Sequence, residues 1–169
     1  MSLLAPDRRH AMSQHDDLPQ PAVVEIGGAT TAIVRGVVPV DQLAAFFDRS
    51  FTELTTVLTE QGATIVGPAF ARHHRPLSGT ADLEVGFATS RPVRPRGDVR
   101  VGSLPAGRVV RSIHAGSFDG LTAAWDRLRT WIDDQGLTAG SALWEVYLTE
   151  PTPDMDPADL RTELNWSLG

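Results

Sequence analysis

The chain has 169 residues, of which 41% are hydrophobic and 21% charged, a composition typical of a single folded domain. Its net charge is −6 and all 15 of its basic residues are arginines, which argues against a nucleic-acid-binding surface over the whole domain. The absence of cysteine excludes disulfides, thiolate nucleophiles and cysteine zinc sites. No apolar run approaches the roughly 18 residues of a membrane span and no secretory signal is recognisable, so we expect a cytoplasmic protein.

The N-terminal third of the chain predicts a tail, a bent β segment and a helix. Residues 1–20 carry charges without periodicity and are interpreted as a disordered tail. The β pattern that follows is interrupted by the pair Gly27-Gly28, where we expect a bend. Apolar residues at helical spacing then predict a helix, with Asp41 as candidate N-cap and Gly62 at its end.

Two short strands are predicted next, over residues 68–74 and 81–88. In the second strand, Leu83, Val85 and Phe87 alternate with polar residues or glycine, as a half-buried strand requires. The segment 90–98 contains two prolines and a glycine and is typical of a linker.

The same series of elements is predicted again between residues 99 and 166. Strand patterns bent at residues 105–107 come first, followed by an amphipathic helix that stops at Gly136. Two strands follow this helix, and the last of them runs from Leu160 to Trp166.

The two halves align at an offset of 74 residues, which superposes Gly62 on Gly136 and Leu54 on Leu128. We therefore predict one α+β domain over residues 21–168, made of duplicated β-α-β-β modules at about 21–90 and 98–168. Such a duplication is expected to form an antiparallel sheet with pseudo-two-fold symmetry. We expect the two main helices on one face of this sheet and a ligand groove on the other.

Four stretches of the second half resemble the GyrI-like small-molecule-binding domain, which also forms the effector-binding part of some AraC-type and MerR-type multidrug regulators. The stretches are His114-Ala115-Gly116-Ser117-Phe118-Asp119-Gly120-Leu121, the pairs Trp131-Ile132 and Gln135-Gly136, Trp144-Glu145-Val146-Tyr147-Leu148-Thr149-Glu150-Pro151, and Leu160-Arg161-Thr162-Glu163-Leu164. The resemblance covers roughly residues 21–168.

This resemblance implies two β-α-β-β modules and a groove that binds bulky, often cationic and aromatic ligands. It also implies a pocket-floor carboxylate on the strand after the second helix, and the matching residues are Glu145 and Tyr147. Some relatives are hydrolases of reactive electrophilic natural products, so the resemblance leaves catalysis by the same two residues open.

The alternation of the strand independently predicts that Glu145 and Tyr147 share a face, while Trp144, Val146 and Leu148 share the other. We expect the larger apolar face to pack against the helices, which directs Glu145 to the open face. A buried carboxylate needs a partner. The partner is either a ligand cation or an arginine of the chain, for which Arg108 and Arg111 are the candidates.

Three more residues complete the predicted ligand site: Trp166, His73 and Phe87. Trp125 and Trp131, by contrast, are expected in the core because of their helical spacing. His73 and the adjacent His74 point to opposite faces of a strand and cannot easily share an ion, so no metal site is predicted.

The sequence thus predicts a stand-alone module that binds hydrophobic, cationic aromatic molecules, either to sequester a drug or toxin or as an effector domain. No cofactor, membrane contact or DNA binding by this chain is expected. One alternative is a hydrolase in which Glu145 is the general base and Tyr147 or a tryptophan holds the substrate. The other is a domain that binds or inhibits a partner protein, which would contain no pocket of ligand size.

Overall fold

The computed structural model describes residues 20–75, 79–150 and 152–169. Nearly all of the predicted tail therefore lies outside the described residues. Within these ranges the strands are β1 (Ala22–Pro39), β2 (Phe70–His73), β3 (Thr80–Ala88), β4 (Arg100–Ala115), β5 (Ala139–Tyr147) and β6 (Arg161–Leu168), and the helices are α1 (Leu43–Gln61) and α2 (Leu121–Asp134). Short 3-10 turns occupy Val40–Gln42, Phe118–Gly120 and Pro157–Asp159.

The six strands form one antiparallel sheet in the order β1-β3-β2-β5-β6-β4, which closes on itself through the pairing of β1 with β4. The predicted mixture of an antiparallel sheet and two helices is confirmed. Each half of the chain supplies a strand, a helix and two strands, and Ala71 pairs with Glu145 where the halves meet. These two residues are the ones that the offset of 74 superposes, although the duplication itself stays a prediction.

The local signals at strand bends and helix ends are confirmed only in part. Gly62 ends α1 in the left-handed conformation, with φ 63°, as predicted. Asp41 is not the N-cap of α1, because it lies inside the preceding 3-10 turn, which begins after Pro39. Gly28, where a bend is expected, adopts a φ of 77° and is skipped in the pairing of β1 with β4, which continues on both sides of it in the same register, so β1 is one strand.

Both helices pack on the same face of the sheet. The buried face of α1 places Phe46, Leu54 and Leu58 against β1 and β3 side chains such as Val85. The buried face of α2, which includes Leu128 and Ile132, packs against Val110 and Leu164 of β4 and β6. The apolar periodicity read from the sequence explains both contacts, since one stripe of each helix is buried.

On the other face of the sheet, the described hydrophobic cluster consists of strand side chains. Trp144 and Val146 of β5 pack against a cluster that includes Val24 of β1 and Val109 of β4. The apolar face of β5 is therefore covered by strands of the closed sheet and not by the helices. The alternation along β5 consequently places Glu145 on the helix-bearing face.

Within the described ranges, no helix combines the length and the hydropathy that a bilayer span requires.

Candidate functional site

A wide groove runs along the helix-bearing face of the sheet, between α1 and α2, and has a volume of about 1640 Å³. The two helices form its walls, and β2, β3, β5 and β6 contribute its floor. The prediction that the groove and the helices lie on opposite faces is therefore wrong. The physical reason is the closure of the sheet, which supplies the apolar face of β5 with partners from β1 and β4.

The centre of the groove floor is Glu145, a buried carboxylate whose side chain is 7% exposed. Its Oε2 accepts a hydrogen bond from Nε1 of Trp125 at 2.9 Å, and its Oε1 accepts one from the hydroxyl of Tyr147 at 2.9 Å. Nε2 of His73 lies 3.4 Å from the same Oε2. The carboxylate is thus held by one side chain from α2, one from β2 and one from its own strand.

The neighbours of Glu145 determine the charge states of Glu145 and Tyr147. Burial raises the pKa of Glu145, but the hydrogen bond and charge of His73 and the bonds from Trp125 and Tyr147 outweigh burial, so the net pKa is lowered. Burial and the neighbouring Glu145 carboxylate raise the pKa of Tyr147 well above its ordinary value. At neutral pH the groove floor therefore carries an ionised carboxylate beside a neutral phenol.

Aromatic rings surround this carboxylate. The ring of Tyr147 makes edge contacts with Phe47 of α1 at 6.1 Å and with Phe118, in the turn before α2, at 5.8 Å between centroids. Phe87 packs against Phe51 at 5.3 Å, in an edge-to-face arrangement. Such rings offer a large apolar surface and faces that attract cations.

Two tryptophans also line the groove. Trp125 and Trp166 meet edge to face at 5.7 Å, and the guanidinium of Arg129 lies 5.7 Å from the Trp166 centroid. Both indole N–H groups are already committed, because Trp166 donates to the carbonyl of Gly140 and Trp125 to Glu145. The tryptophan pair therefore already has an internal cation, Arg129, beside its aromatic surface.

All five residues that the sequence predicted for the ligand site line this groove: Glu145, Tyr147, Trp166, His73 and Phe87. The arginine partners proposed for Glu145 are not found there. Arg111 instead bonds to Asn165 at 2.8 Å and lies 3.3 Å from Glu163, while Arg108 makes no described contact with Glu145.

Sequence reasoning missed several groove residues, most importantly Trp125. Its helical spacing predicted a core position, yet its half-buried indole lines the groove and bonds to Glu145. Phe47 and Phe51 were assigned only to the apolar stripe of α1, although they form part of the wall.

The two adjacent histidines face different partners, as the alternation of β2 predicts. His73 contacts Glu145 in the groove, whereas Nε2 of His74 lies 2.7 Å from Glu84 on the other face of the sheet. Among the described residues, no group of three or more histidine, aspartate or glutamate side chains is arranged to hold a metal ion.

A wide, mostly apolar groove with a few convergent polar groups is the usual form of a small-molecule site. The fold and the groove define the chain as a small-molecule-binding domain of mixed α and β structure. The sequence profile of the GyrI-like small molecule binding domain matches residues 63–168, and the chain belongs to this family. No curated protein gives a significant match.

Several solved structures share the fold. The crystal structure of the EcmrR C-terminal domain matches with a TM-score of 0.79 and 22% identity, over 89% of this chain and 97% of that one. In the cryo-EM structure of EcmrR with DNA, the TM-score is 0.79 and the identity 21%, over 98% of this chain. The present chain spans 64% of that longer EcmrR chain.

Two further structures are similar at lower scores. A hydrolase from Listeria innocua matches with a TM-score of 0.65 and 14% identity, over 95% of this chain and 98% of that one. SAV2435 bound to tetraphenylphosphonium matches with a TM-score of 0.63 and 13% identity, over 89% of this chain and 94% of that one. At these identities the likeness establishes the fold alone.

Proposed function

We propose that this chain binds bulky aromatic cations in the groove between α1 and α2. The observation that carries the proposal is Glu145, an ionised carboxylate on the floor of a wide groove whose walls are aromatic. A buried charge of this kind is costly unless it is compensated. Its three neighbours are donors that are neutral when His73 is unprotonated, so the floor keeps a net negative charge that a ligand cation can neutralise.

The size of the groove favours large ligands. Pockets for drug-sized molecules usually measure about 300–1,000 Å³, and the present groove is larger at about 1640 Å³. The rings of Phe47, Phe87, Phe118 and Tyr147 line it together with Glu145. A flat or propeller-shaped aromatic ligand could therefore contact several rings while its charge lies near the carboxylate.

The hydrogen bonds at Glu145 favour one kind of cation over another. Both carboxylate oxygens already accept bonds, Oε2 from Trp125 and Oε1 from Tyr147. A cation with strong N–H donors would have to compete for these oxygens. A delocalised cation without N–H groups needs only proximity and π contacts, and this chemistry is that of tetraphenylphosphonium, to which the related SAV2435 is bound.

The test uses tetraphenylphosphonium and its neutral relative triphenylphosphine oxide. Saturable binding of the cation at pH 8, followed by calorimetry and by fluorescence of the groove tryptophans Trp125 and Trp166, is the expected result. Triphenylphosphine oxide should bind at least tenfold more weakly, since it lacks the charge that Glu145 attracts. No saturable binding by a panel of aromatic cations would overturn the proposal.

A second candidate is hydrolysis of a reactive electrophile, favoured by the direct bond between Tyr147 and Glu145 and by the likeness to a Listeria innocua hydrolase. A general base works best when its pKa lies near the operating pH. Because the partners of Glu145 lower its pKa, it is a weak base, and we therefore place binding first. Multiple-turnover hydrolysis of a strained electrophile, lost in Glu145→Gln, would support catalysis; stoichiometric uptake alone would exclude it.

The third possibility, a domain that only binds a partner protein, predicted no pocket of ligand size. The volume of the groove counts against it. The expectation that this chain does not bind DNA stays a prediction.

A further inference from the structure

The carboxylate on the groove floor has one neighbour that can change its charge. Trp125 is always a neutral donor, and the raised pKa of Tyr147 keeps its hydroxyl protonated. His73 differs, because a neutral imidazole can take up a second ring proton and become a cation. Its side chain is 11% exposed and its Nε2 lies 3.4 Å from Oε2 of Glu145. The two groups therefore interact where little water can screen them.

The pairing of β2 with β5 creates this contact. His73 is directly opposite Leu143, so it is diagonal to Glu145, and both side chains point to the groove. At the position opposite Glu145 the first half of the chain has Ala71, which has no polar group. The short alanine side chain leaves His73 as the only group of β2 in contact with the carboxylate among the described residues.

The two forms of His73 give the groove different charges. Neutral His73 with its proton on Nε2 donates to Glu145, and the pair has a net charge of −1. Protonated His73 forms an internal ion pair with a net charge of zero. The Nδ1 atom is buried without a hydrogen-bond partner, so protonation there also leaves a donor unsatisfied.

We propose that His73 is the specificity-determining residue of the groove: when neutral it leaves the charge of Glu145 to a cationic ligand, and when protonated it takes the place of that ligand. The inference rests on the proposed function. Linkage is reciprocal, so a bound cation must also disfavour protonation of His73. Binding of a permanent cation then releases protons, whereas binding of a neutral ligand of similar shape does not.

Five other described charged residues line the groove, of which three are carboxylates and two are arginines. Asp48 lies on α1, Asp126 and Arg129 on α2, Arg75 after β2 and Glu150 after β5, and all are exposed at the rim. His73 is the only histidine among the described residues that line the groove.

The experiment measures the affinity for tetraphenylphosphonium by calorimetry at pH 8 and pH 6, a range above the isoelectric point of about 5.3. Two buffers of different ionisation heat at each pH give the number of protons released. We expect the wild-type affinity to fall about 5- to 100-fold between pH 8 and pH 6, because one linked proton changes affinity at most tenfold per pH unit. The affinity for triphenylphosphine oxide should change less than twofold.

His73→Gln is the decisive variant, because its amide keeps an N–H for Glu145 but cannot be protonated. It should bind the cation at pH 6 as well as at pH 8 and release no proton. His114→Asn is the matched control, since His114 lies outside the groove and its Nε2 contacts the Ser117 carbonyl at 2.9 Å. This control should keep the wild-type pH dependence. A second variant, His73→Phe, should also remove the dependence if His73→Gln does not fold.

Three results would overturn the inference. The first is a wild-type cation affinity that is equal at pH 8 and pH 6, and the second is an equal pH dependence in wild type and His73→Gln. Either of these leaves the proposed function intact, because the cation still binds. Failure of the cation to bind at every pH, in wild type and variants alike, would instead overturn the proposed function together with the inference.

Discussion

Replacement of Glu145 by glutamine separates the charge of the groove floor from its shape. Trp125 and His73 both approach Oε2, while the hydroxyl of Tyr147 donates to Oε1. An amide can place its oxygen at the Oε2 position and its NH₂ group at the Oε1 position, where the rotated hydroxyl of Tyr147 accepts. Every hydrogen bond then has a partner, and only the assistance of the charge is lost.

The expected change in stability is small. Hydrogen bonds to a charged group contribute about 1.5–3 kcal/mol and neutral ones about 0.5–1.5 kcal/mol, so the variant loses roughly 1 kcal/mol for each weakened bond. The desolvation cost of the buried carboxylate disappears at the same time and offsets part of this loss. We expect the free energy of unfolding of Glu145→Gln to be about 1 kcal/mol lower than that of the wild type.

The expected change in binding is larger. A permanent cation loses a Coulombic attraction of roughly 2–3 kcal/mol, for charges about 6–8 Å apart at an effective dielectric constant of about 20, which corresponds to a decrease in affinity of roughly thirtyfold to hundredfold. A neutral ligand of similar shape should bind nearly as before. Glu150→Gln is the matched control, because Glu150 also lines the groove but is exposed, and its charge is screened by water and salt. We expect it to change the cation affinity less than threefold.

Urea unfolding, followed by tryptophan fluorescence, gives the stability of both variants, and calorimetry at pH 8 gives the affinities for tetraphenylphosphonium and triphenylphosphine oxide. A Glu145→Gln protein that folds and binds the cation with wild-type affinity would refute the role of the carboxylate. A loss shared equally by the cation and the neutral compound would show that the substitution changed the shape of the groove and not its charge.

Two further predictions concern the support of the site and the pairing of β1 with β3. Trp125→Phe keeps a ring in the groove wall but removes the donor to Glu145, so we expect the free energy of unfolding in urea to fall by about 1–2 kcal/mol. Trp131→Phe is the control; it removes no described indole hydrogen bond and should lose less stability. Gly86→Ala would bring a Cβ within 2.0 Å of a backbone oxygen of β1, so this variant should unfold or lose more than about 3 kcal/mol of stability. Gly27→Ala is the control, because its Cβ would have open space and its stability should be nearly unchanged. Equal stability of the two variants would contradict the geometry.

Much of the fold could be predicted because its signals are local. The apolar stripe of α1 and the glycine at its end follow from side chains within a few turns of one another. Likewise, the alternation along β5 is enough to place Glu145 and Tyr147 on one face. It does not tell which face the helices cover, because that depends on the pairing of β1 with β4, which are far apart in sequence. The groove was therefore assigned to the wrong face of the sheet.

The partners of Glu145 could not be predicted for a related reason. The sequence offered arginines as partners, since an arginine is the commonest way to compensate a buried carboxylate. The contact with His73 depends on the register of β2 against β5, and the bond from Trp125 depends on the position of α2 over that sheet. No periodicity in the sequence encodes the register between these strands or the position of the helix over the sheet. His73 was predicted as a ligand contact, but its role toward the carboxylate needed the structure.

The arrangement at Glu145 explains how a buried charge can be kept ready for a ligand. An arginine at 3 Å would stabilise the free protein but leave no net charge on the groove floor. Trp125 and Tyr147 are neutral donors that hold the carboxylate in place and help to lower its pKa without cancelling its charge, whereas His73 lowers that pKa through its hydrogen bond and its charge. The donors are fixed by the packing of Trp125 against Trp166 and of Tyr147 against Phe47, so little reorganisation is needed when a cation arrives. Of the three partners, only His73 can neutralise the charge of Glu145, when it is protonated, and leave that charge in place, when it has lost the proton.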